Sequence, residues 1–284
     1  MYPNLSPGAL GINVPFSESV QLAHRFGYGG LDVSIAELQQ IAASQGAEAI
    51  GEQMAPAGLK FGVWSMPVPY RADQESWQRG LAQLPAQAAL AKSIGADRTS
   101  TYIANASDER TWDENYEFHI VRLRPIAEIL ADNGIRFGLE WVGPKTLRDE
   151  KKHSFIHTMD GALQLAADLE VGSTGLLVDI FPLFTSHTEV SAVRNLTNAQ
   201  VVNVHVNDAV AGRSADQQID NERTLPAETG LTDIAGFLQA LDAIGYDGPV
   251  TVEPFSQRIR ALSPAEAAQA TAESLERSWQ LAGL

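Results

Sequence analysis

Two kinds of hydrophobic pattern alternate along the chain, one typical of strands and the other of helices. Eight short apolar runs predict buried β-strands, at residues 9–14, 30–35, 60–66, 98–103, 135–142, 174–181, 200–207 and 249–255. Between them, apolar residues recur every three or four positions, which is typical of amphipathic helices. The clearest helical segments are 123–131, 162–169 and 234–244. Strands that alternate with helices indicate parallel strands joined by right-handed crossovers.

Residues that favour helix ends lie where this pattern requires them. Gly95, Gly134 and Gly245 follow helical runs, at the position where a left-handed residue closes a helix. Thr158 and Ser263 precede helical runs and are good N-caps. The local signals therefore support the same element order as the apolar periodicity.

Eight strand–helix units over roughly 250 residues are the expected size of a closed barrel. We predict an α/β fold in which residues 1–284 form a single-domain (β/α)8 TIM barrel, because no linker or low-complexity stretch divides the chain. An open, doubly wound sheet is the structural alternative. However, no glycine-rich phosphate loop follows the first predicted strand.

Composition narrows the partners and the chemistry. The net charge of −15 gives a surface that repels phosphate backbones, so we expect no nucleic-acid partner. The absence of cysteine excludes disulfides, thiolate metal sites and a cysteine nucleophile. No signal peptide and no long apolar run are visible, so we expect a cytoplasmic protein without a membrane anchor.

Polar side chains end four consecutive predicted strands, the fifth to the eighth. Glu140, Asp179, His205 and Glu253 each close an apolar run. An acid within a buried strand is costly, and a single one usually caps a loop. Four at matching positions indicate a shared purpose, because the carboxyl ends of neighbouring barrel strands meet at the functional face. We therefore predict a divalent-metal site.

The chemistry of these groups suggests a reaction. Three carboxylates and one imidazole form a hard donor set, for which we expect one Mn²⁺, with Mg²⁺, Co²⁺ or Zn²⁺ as alternatives. Two open positions on the ion would bind a carbonyl oxygen and a neighbouring hydroxyl of the substrate. The ion would thereby stabilise a metal-bound cis-enediolate. Glu140 and Glu253, on opposite sides of the substrate, would remove and return a carbon-bound proton. This mechanism predicts an isomerase or epimerase of a small sugar or related ketone.

Other side chains near the strand ends are candidates for substrate contacts. Trp64 ends the third predicted strand and could pack on a sugar face. Asp208 follows His205 by three residues and could position a ligand or a substrate hydroxyl. The remaining candidates, Lys145 and Arg213, lie in the loops after the fifth and seventh strands.

The stretches GLEWVGPKT, GLLVDIF, VVNVHVNDA, LPAETGLTDIAGFLQAL and GYDGPVTVEPFS carry a family resemblance. The chain resembles the xylose isomerase-like TIM barrel superfamily, in its sugar phosphate isomerase/epimerase branch, over nearly its whole length. The resemblance implies that Glu140, Asp179, His205 and Glu253 are the metal ligands, and that the two glutamates are the acid/base pair. It also implies a small carbohydrate substrate and a homo-oligomer, although no feature of the chain itself establishes an assembly.

The sequence departs from the family at two positions. Pro182 stands three residues after Asp179, where many members have a histidine that contacts substrate, and His187 is a weak substitute. Ala211 stands where epimerases tend to have an arginine, with Arg213 two residues further on. Two alternatives therefore stay open. One is an oxo-sugar lyase or dehydratase, including the C-glycoside-cleaving type, on the same metal site; the other is a non-catalytic metal- or sugar-binding barrel subunit.

Overall fold

Eight parallel strands close into a barrel in the computed structural model, which describes residues 1–284. Each strand pairs with its neighbours in chain order, and the first strand also pairs with the last. The predicted (β/α)8 barrel is thereby confirmed. The strands are β1 Tyr2–Leu5, β2 Gly30–Val33, β3 Lys60–Ser65, β4 Arg98–Ile103, β5 Arg136–Trp141, β6 Thr174–Asp179, β7 Val201–Val206 and β8 Pro249–Val252.

The predicted first strand, at residues 9–14, is wrong. The chain there forms a short helix, Pro7–Leu10, which begins with proline at its first turn and ends at Gly11 in the left-handed conformation (φ 73°). The true first strand, Tyr2–Leu5, carries Pro3 and the buried polar side chain of Asn4, which disguise its apolar pattern. The other seven strands lie within the predicted ranges, with ends trimmed by up to three residues.

Helices surround the barrel and pack their apolar faces on the strands. They are α1 Pro7–Leu10, α2 Phe16–Arg25, α3 Ile35–Gln45, α4 Glu48–Met54, α5 Gln74–Ile94, α6 Trp112–Asp132, α7 Met159–Asp168, α8 Ile180–Thr185, α9 Ile234–Ala243, α10 Gln257–Arg260 and α11 Pro264–Ala282. The expected caps are present: the Thr158 hydroxyl accepts from the backbone N–H of Gly161, and Ser263 forms a capping box with Glu266. None of these helices combines the length and the apolarity needed to span a membrane.

The loops that follow the strands cover the carboxyl-end face of the barrel. Two short antiparallel strands, Ala106–Ser107 and His153–Ser154, join the loops after β4 and β5. Short 3₁₀ turns at Lys145–Leu147 and Ala215–Gln217 add to this layer, whereas the turn at Val190–Asn195 packs with α9 and the turn at Asn198–Gln200 leads into the amino end of β7. The segment 207–233 between β7 and α9 is the longest connection at this face, and loops of that length usually have a functional reason.

Candidate metal centre

The four polar side chains predicted to end strands 5 to 8 do converge at the carboxyl-end face. One ligand atom from each of them lies within 4.8 Å of every other, in a group made of Glu140, Asp179, His205 and Glu253. Asp179 and His205 are paired in register across β6 and β7. Glu253 directly follows β8, and its backbone N–H donates to the Val206 carbonyl at 3.1 Å. The strand register therefore positions the cluster.

Asp179 is the most firmly fixed member of the cluster. Its side chain is completely buried, and Oδ1 accepts from the Phe181 backbone N–H at 2.9 Å and from Asn207 Nδ2 at 3.0 Å. The first of these bonds makes Asp179 the N-cap of α8, so the strand-to-helix turn itself orients the carboxylate. Both donors use Oδ1, so neither of them occupies Oδ2.

Arg223 is a member of the site that the sequence reasoning missed. Its Nη1 donates to Asp179 Oδ2 at 2.6 Å and to Glu253 Oε2 at 3.1 Å, and Nη2 donates to Asp220 at 3.0 Å. The guanidinium is buried and lies between two aromatic rings, 4.5 Å from the centroid of Phe181 and 4.6 Å from that of Phe255. The signal that could have found Arg223 was its place in the long loop after β7, two residues before LPAETG.

His205 places one ring nitrogen inside the cluster. Its Nε2 lies 3.2 Å from the amide Nδ2 of the buried Asn203, which orients the ring. Nδ1 lies 3.4 Å from Glu253 Oε2, in ion-pair range, but the alignment makes no hydrogen bond and no other group satisfies the atom. A buried nitrogen without a partner is costly in a dry interior, and a metal ion is one group that satisfies it.

The electrostatics of the cluster are dominated by crowded carboxylates. Burial, together with the nearby Glu253 charge, raises the pKa of Glu140 well above its usual range. Burial alone would lower the pKa of His205, but Glu253, Glu140 and Asp179 together outweigh it and raise that pKa to about 10. Burial would raise the pKa of Glu253, but His205 and Arg223 together lower it. The arrangement thus favours an added positive charge.

The donor set fits a divalent cation. Three carboxylates and an unsatisfied imidazole nitrogen converge within a few ångströms, and the buried guanidinium of Arg223 pairs with only two of the acids, Asp179 and Glu253. A bound cation would supply the missing charge and favour the ionised form of Glu140. Oxygen-rich sets of this kind suit Mn²⁺, Mg²⁺ or Co²⁺, and the imidazole also allows Zn²⁺.

Two cavities flank the cluster and share Glu253 and Phe255 in their walls. The first, of about 600 Å³, lies against the early strands and contains His205 and Asp32 in its lining. The second, of about 560 Å³, lies against β4 and β5 and is lined by Glu140, Arg223 and other groups of the loops. A ligand that contacts the cluster therefore has space on both sides of Glu253.

Two of the four expected substrate contacts are structural in this fold. Trp64 is fully buried, and its indole N–H donates to the Ala96 carbonyl at 3.1 Å, so the ring packs in the core instead of facing a cavity. Asp208 is also fully buried. Its carboxylate accepts from the backbone N–H groups of Thr229 at 2.8 Å, Gly230 at 2.7 Å and Thr232 at 3.0 Å. Asp208 thus anchors the end of the loop that carries Arg223.

The other two lie on the outer rim and not in the cavities. Lys145 pairs with Asp216 at 3.4 Å, and His187 binds the same carboxylate at 2.7 Å. Arg213 pairs with Glu222 at 2.6 Å. None of these three side chains lines either cavity. Pro182, and not His187, forms part of the wall of the second cavity.

Comparison with known proteins gives three results. The sequence model described as xylose isomerase-like TIM barrel matches residues 20–278. A xylose isomerase domain protein from Alicyclobacillus acidocaldarius subsp. acidocaldarius superimposes with a TM-score of 0.88 at 26% identity, covering 99% of both chains. The IolI protein, solved with a zinc atom, gives a TM-score of 0.81 at 16% identity, covering 100% of this chain and 98% of its own.

A sequence relative with a stated activity matches part of the chain. The 3-dehydroshikimate dehydratase of Pseudomonas aeruginosa is 27% identical over 140 residues. The match covers 49% of this chain and 21% of the relative, so this chain spans only about a fifth of that protein. The similarity therefore concerns one segment of a much longer enzyme.

Proposed function

Because the chain belongs to the xylose isomerase-like TIM barrel family, we propose that it is a divalent-metal-dependent isomerase or epimerase of a small sugar or related ketone. The observation that carries the proposal is the convergence of Glu140, Asp179, His205 and Glu253 within 4.8 Å at the functional face of the barrel. Glu140 and Asp179 lie on β5 and β6. His205 lies on β7, and Glu253 directly follows β8.

The four residues would hold one metal ion, with Mn²⁺ as the preferred ion and Zn²⁺ as an alternative, in line with the zinc of the IolI structure. A divalent cation at this point supplies Lewis-acid polarisation of a carbonyl and its neighbouring hydroxyl. Asp179 and His205 are suited to a purely binding role. The carboxylate of Asp179 is fixed by three donors, and Asn203 orients the imidazole of His205.

The two glutamates would move the proton. Glu140 and Glu253 come from opposite ends of the four-strand arc, and Glu253 lies in the wall between the two cavities. A carbon acid between them can lose its proton to one glutamate and regain one from the other. Return to the opposite face of the same carbon epimerises the substrate, and return to the neighbouring carbon isomerises it. Arg223 donates to Glu253 and keeps that carboxylate oriented.

A lyase is the second candidate, and the similarity to a 3-dehydroshikimate dehydratase favours it. The same proton abstraction by a glutamate gives an enediolate or enolate, which then expels a β-leaving group instead of being protonated on carbon. Both reactions require the same four residues, so the products distinguish them.

Proton NMR of ketoses, inososes and 3-dehydroshikimate in D₂O tests the proposal. The protein should be assayed with Mn²⁺ and, separately, with a chelator. Metal-dependent deuterium incorporation next to a carbonyl, without loss of water from the substrate, supports the isomerase. Loss of water with formation of a conjugated product would replace it by the lyase. No exchange with any compound, despite bound metal, would argue for a non-catalytic barrel.

Two variants assign the exchange to the site. Glu253→Gln and Glu140→Gln keep an oxygen at each position but remove the basic carboxylate, and each should lower the exchange rate by about 10²-fold or more. Glu222→Gln is the matched control, because that acid pairs with Arg213 on the rim outside both cavities. If Glu140→Gln and Glu253→Gln exchange deuterium as fast as the control Glu222→Gln, the cluster is excluded as the source of the exchange.

A further inference from the structure

We infer that Asp32 is a specificity-determining residue, which accepts hydrogen bonds from hydroxyl groups of the substrate on the early-strand side of the first cavity. The inference rests on the proposed function and adds a substrate class to it, an uncharged polyhydroxy ketone without a phosphate or carboxylate group. Asp32 lies in β2 and lines the first cavity together with His205 and Glu253, and none of the catalytic proposals uses it.

The cavity beside Asp32 is a polar chamber continuous with the cluster. His205 and Glu253 line it, and its other polar lining residues include Ser6, Asp32, Ser34, Ser65, Ser100 and Asn203. Its volume of about 600 Å³ is in the range of small-molecule sites. A ketone whose carbonyl lies at the cluster would therefore extend its remaining hydroxyls along a wall of hydroxyl groups towards Asp32.

The Asp32 carboxylate is held in place and keeps a free acceptor. Oδ1 accepts from Asn4 Nδ2 at 2.7 Å and from the Val63 backbone N–H at 2.7 Å. Asn4 is itself fixed, because its Nδ2 also donates to Thr251 Oγ1 at 2.9 Å. These bonds fix the orientation of Asp32 through Oδ1 and leave acceptor capacity at Oδ2, with the Ser6 hydroxyl nearby.

The charges of the two cavities differ, and this sets the class of substrate. No lysine or arginine lines the first cavity, whereas Asp32, Glu37 and Glu253 do. Lys151 and Arg223 line the second cavity instead. A phosphate or carboxylate placed beside Asp32 would meet that carboxylate with no lysine or arginine in the chamber wall, which is unfavourable in a partly buried site. A hydroxyl group, by contrast, donates to a carboxylate in a strong, charge-assisted bond.

Ligand binding tests Asp32 independently of turnover. The probes are an uncharged hexitol and the hexonate of the same carbon chain, titrated by ligand-observed NMR into the Mn²⁺-loaded protein. Hydrogen bonds to charged groups correspond to about tenfold or more in affinity. We expect Asp32→Asn to shift the ratio of hexitol to hexonate affinity by at least about tenfold towards the hexonate. The asparagine retains an acceptor for Asn4 and Val63, so the variant should fold.

Two further variants make the result decisive. Ser65→Ala, which removes one hydroxyl of the chamber wall, should weaken hexitol binding without improving hexonate binding. Asp160→Asn removes an equal charge from the exposed first turn of α7 and should leave the ratio unchanged. An unchanged ratio in Asp32→Asn, an equal shift in Asp160→Asn, or binding of neither probe to the parent protein overturns the inference.

The binding result and the exchange result separate the two proposals. Deuterium exchange with an unaltered ratio would refute the role of Asp32 alone. A shifted ratio without exchange of any ketone would refute the catalytic proposal and leave Asp32 as the hydroxyl-recognising residue of a binding protein. If both hold, unphosphorylated hexuloses should exchange at least about tenfold faster than their 6-phosphates, and Asp32→Asn should narrow that difference.

Discussion

Arg223 Nη1 lies 2.6 Å from Asp179 Oδ2, so the long loop after β7 inserts a cation among the carboxylates of β6 and β8. Both side chains are buried, with 3% and 0% of their surface exposed. The neighbouring acids raise the pKa of Arg223 despite its burial. The guanidinium therefore offsets part of the negative charge of these carboxylates, which a divalent cation would neutralise in full.

Replacement of Arg223 by methionine should make stability depend strongly on metal. Removing one partner of a buried ion pair leaves the other uncompensated, at a cost of about 3–5 kcal/mol. We expect a loss of this size in urea unfolding with chelator present, and a clearly smaller loss with saturating Mn²⁺. Arg213→Met is the control, since its pair with Glu222 is partly exposed and should contribute less than about 1 kcal/mol. Equal losses with and without Mn²⁺ would contradict a cation site next to Arg223.

His205→Gln should abolish the stabilisation of the protein by divalent metal. A ligand at about 100 times its Kd stabilises the folded state by about 2.7 kcal/mol, which raises Tm. We expect Mn²⁺ to raise the Tm of the parent protein but not that of the variant, in scans at fixed protein and metal concentrations. Asp216→Asn, at the rim pair with Lys145 and His187, should keep the full increase. A metal-dependent rise in His205→Gln equal to that of the parent would exclude His205 as a ligand.

The sequence was sufficient for the barrel and for the grouping of the four ligand candidates. Glu140, Asp179 and His205 lie on strands, and a strand end has only one place in a closed barrel, so chain order predicts spatial order. The first strand was missed because Pro3 and Asn4 break its apolar pattern while residues 9–14 imitate one.

Side-chain roles in loops and at bulky positions were less predictable. Arg223 reaches the cluster from a 27-residue connection whose course depends on tertiary contacts, among them the three backbone bonds to Asp208. Trp64 lies on β3, but the strand pattern alone does not decide whether its ring packs in the core or faces the cavity. Its N–H found a partner in the Ala96 carbonyl instead of facing the cavity.

His119 should make stability fall in mild acid. It is buried in an aromatic cluster with Tyr70 and Phe155, and burial, with Arg71 and Arg110 nearby, lowers its pKa to about 4. The unfolded chain, with a histidine pKa of about 6.5, binds the proton more readily. Stability is therefore complete above pH 6.5 and is lost as the pH falls towards 4, by up to about 3 kcal/mol.

His119→Phe tests this dependence, because phenylalanine keeps the ring and cannot be protonated. The ring Nε2 has no hydrogen-bond partner, so the substitution removes no bond from that atom, although it loses the one from Nδ1 to the Asn115 carbonyl. Urea unfolding at pH 7 and pH 4.5 should show a smaller loss on acidification in the variant than in the parent. Parallel losses in the two proteins would show that other groups cause the acid sensitivity.

We expect that no residue with a side chain can replace Gly62, because the side chains of Asn4 and Asp32 lie directly against it. A Cβ at this position would collide with Asn4 Oδ1 and Asp32 Oδ1. Gly62→Ala should therefore destabilise the protein by about 1–3 kcal/mol in urea unfolding, as overpacking does. Gly51→Ala is the matched control: it lies in α4 with open space around the added methyl group, and should stabilise the protein by about 0.5–1 kcal/mol.

Because the collision displaces Asp32, Gly62→Ala should also shift the ratio of hexitol to hexonate affinity in the direction of Asp32→Asn. A variant as stable as the parent, with the same ratio, would mean that Asn4 and Asp32 move aside freely and that the chamber is not held rigid by their contacts.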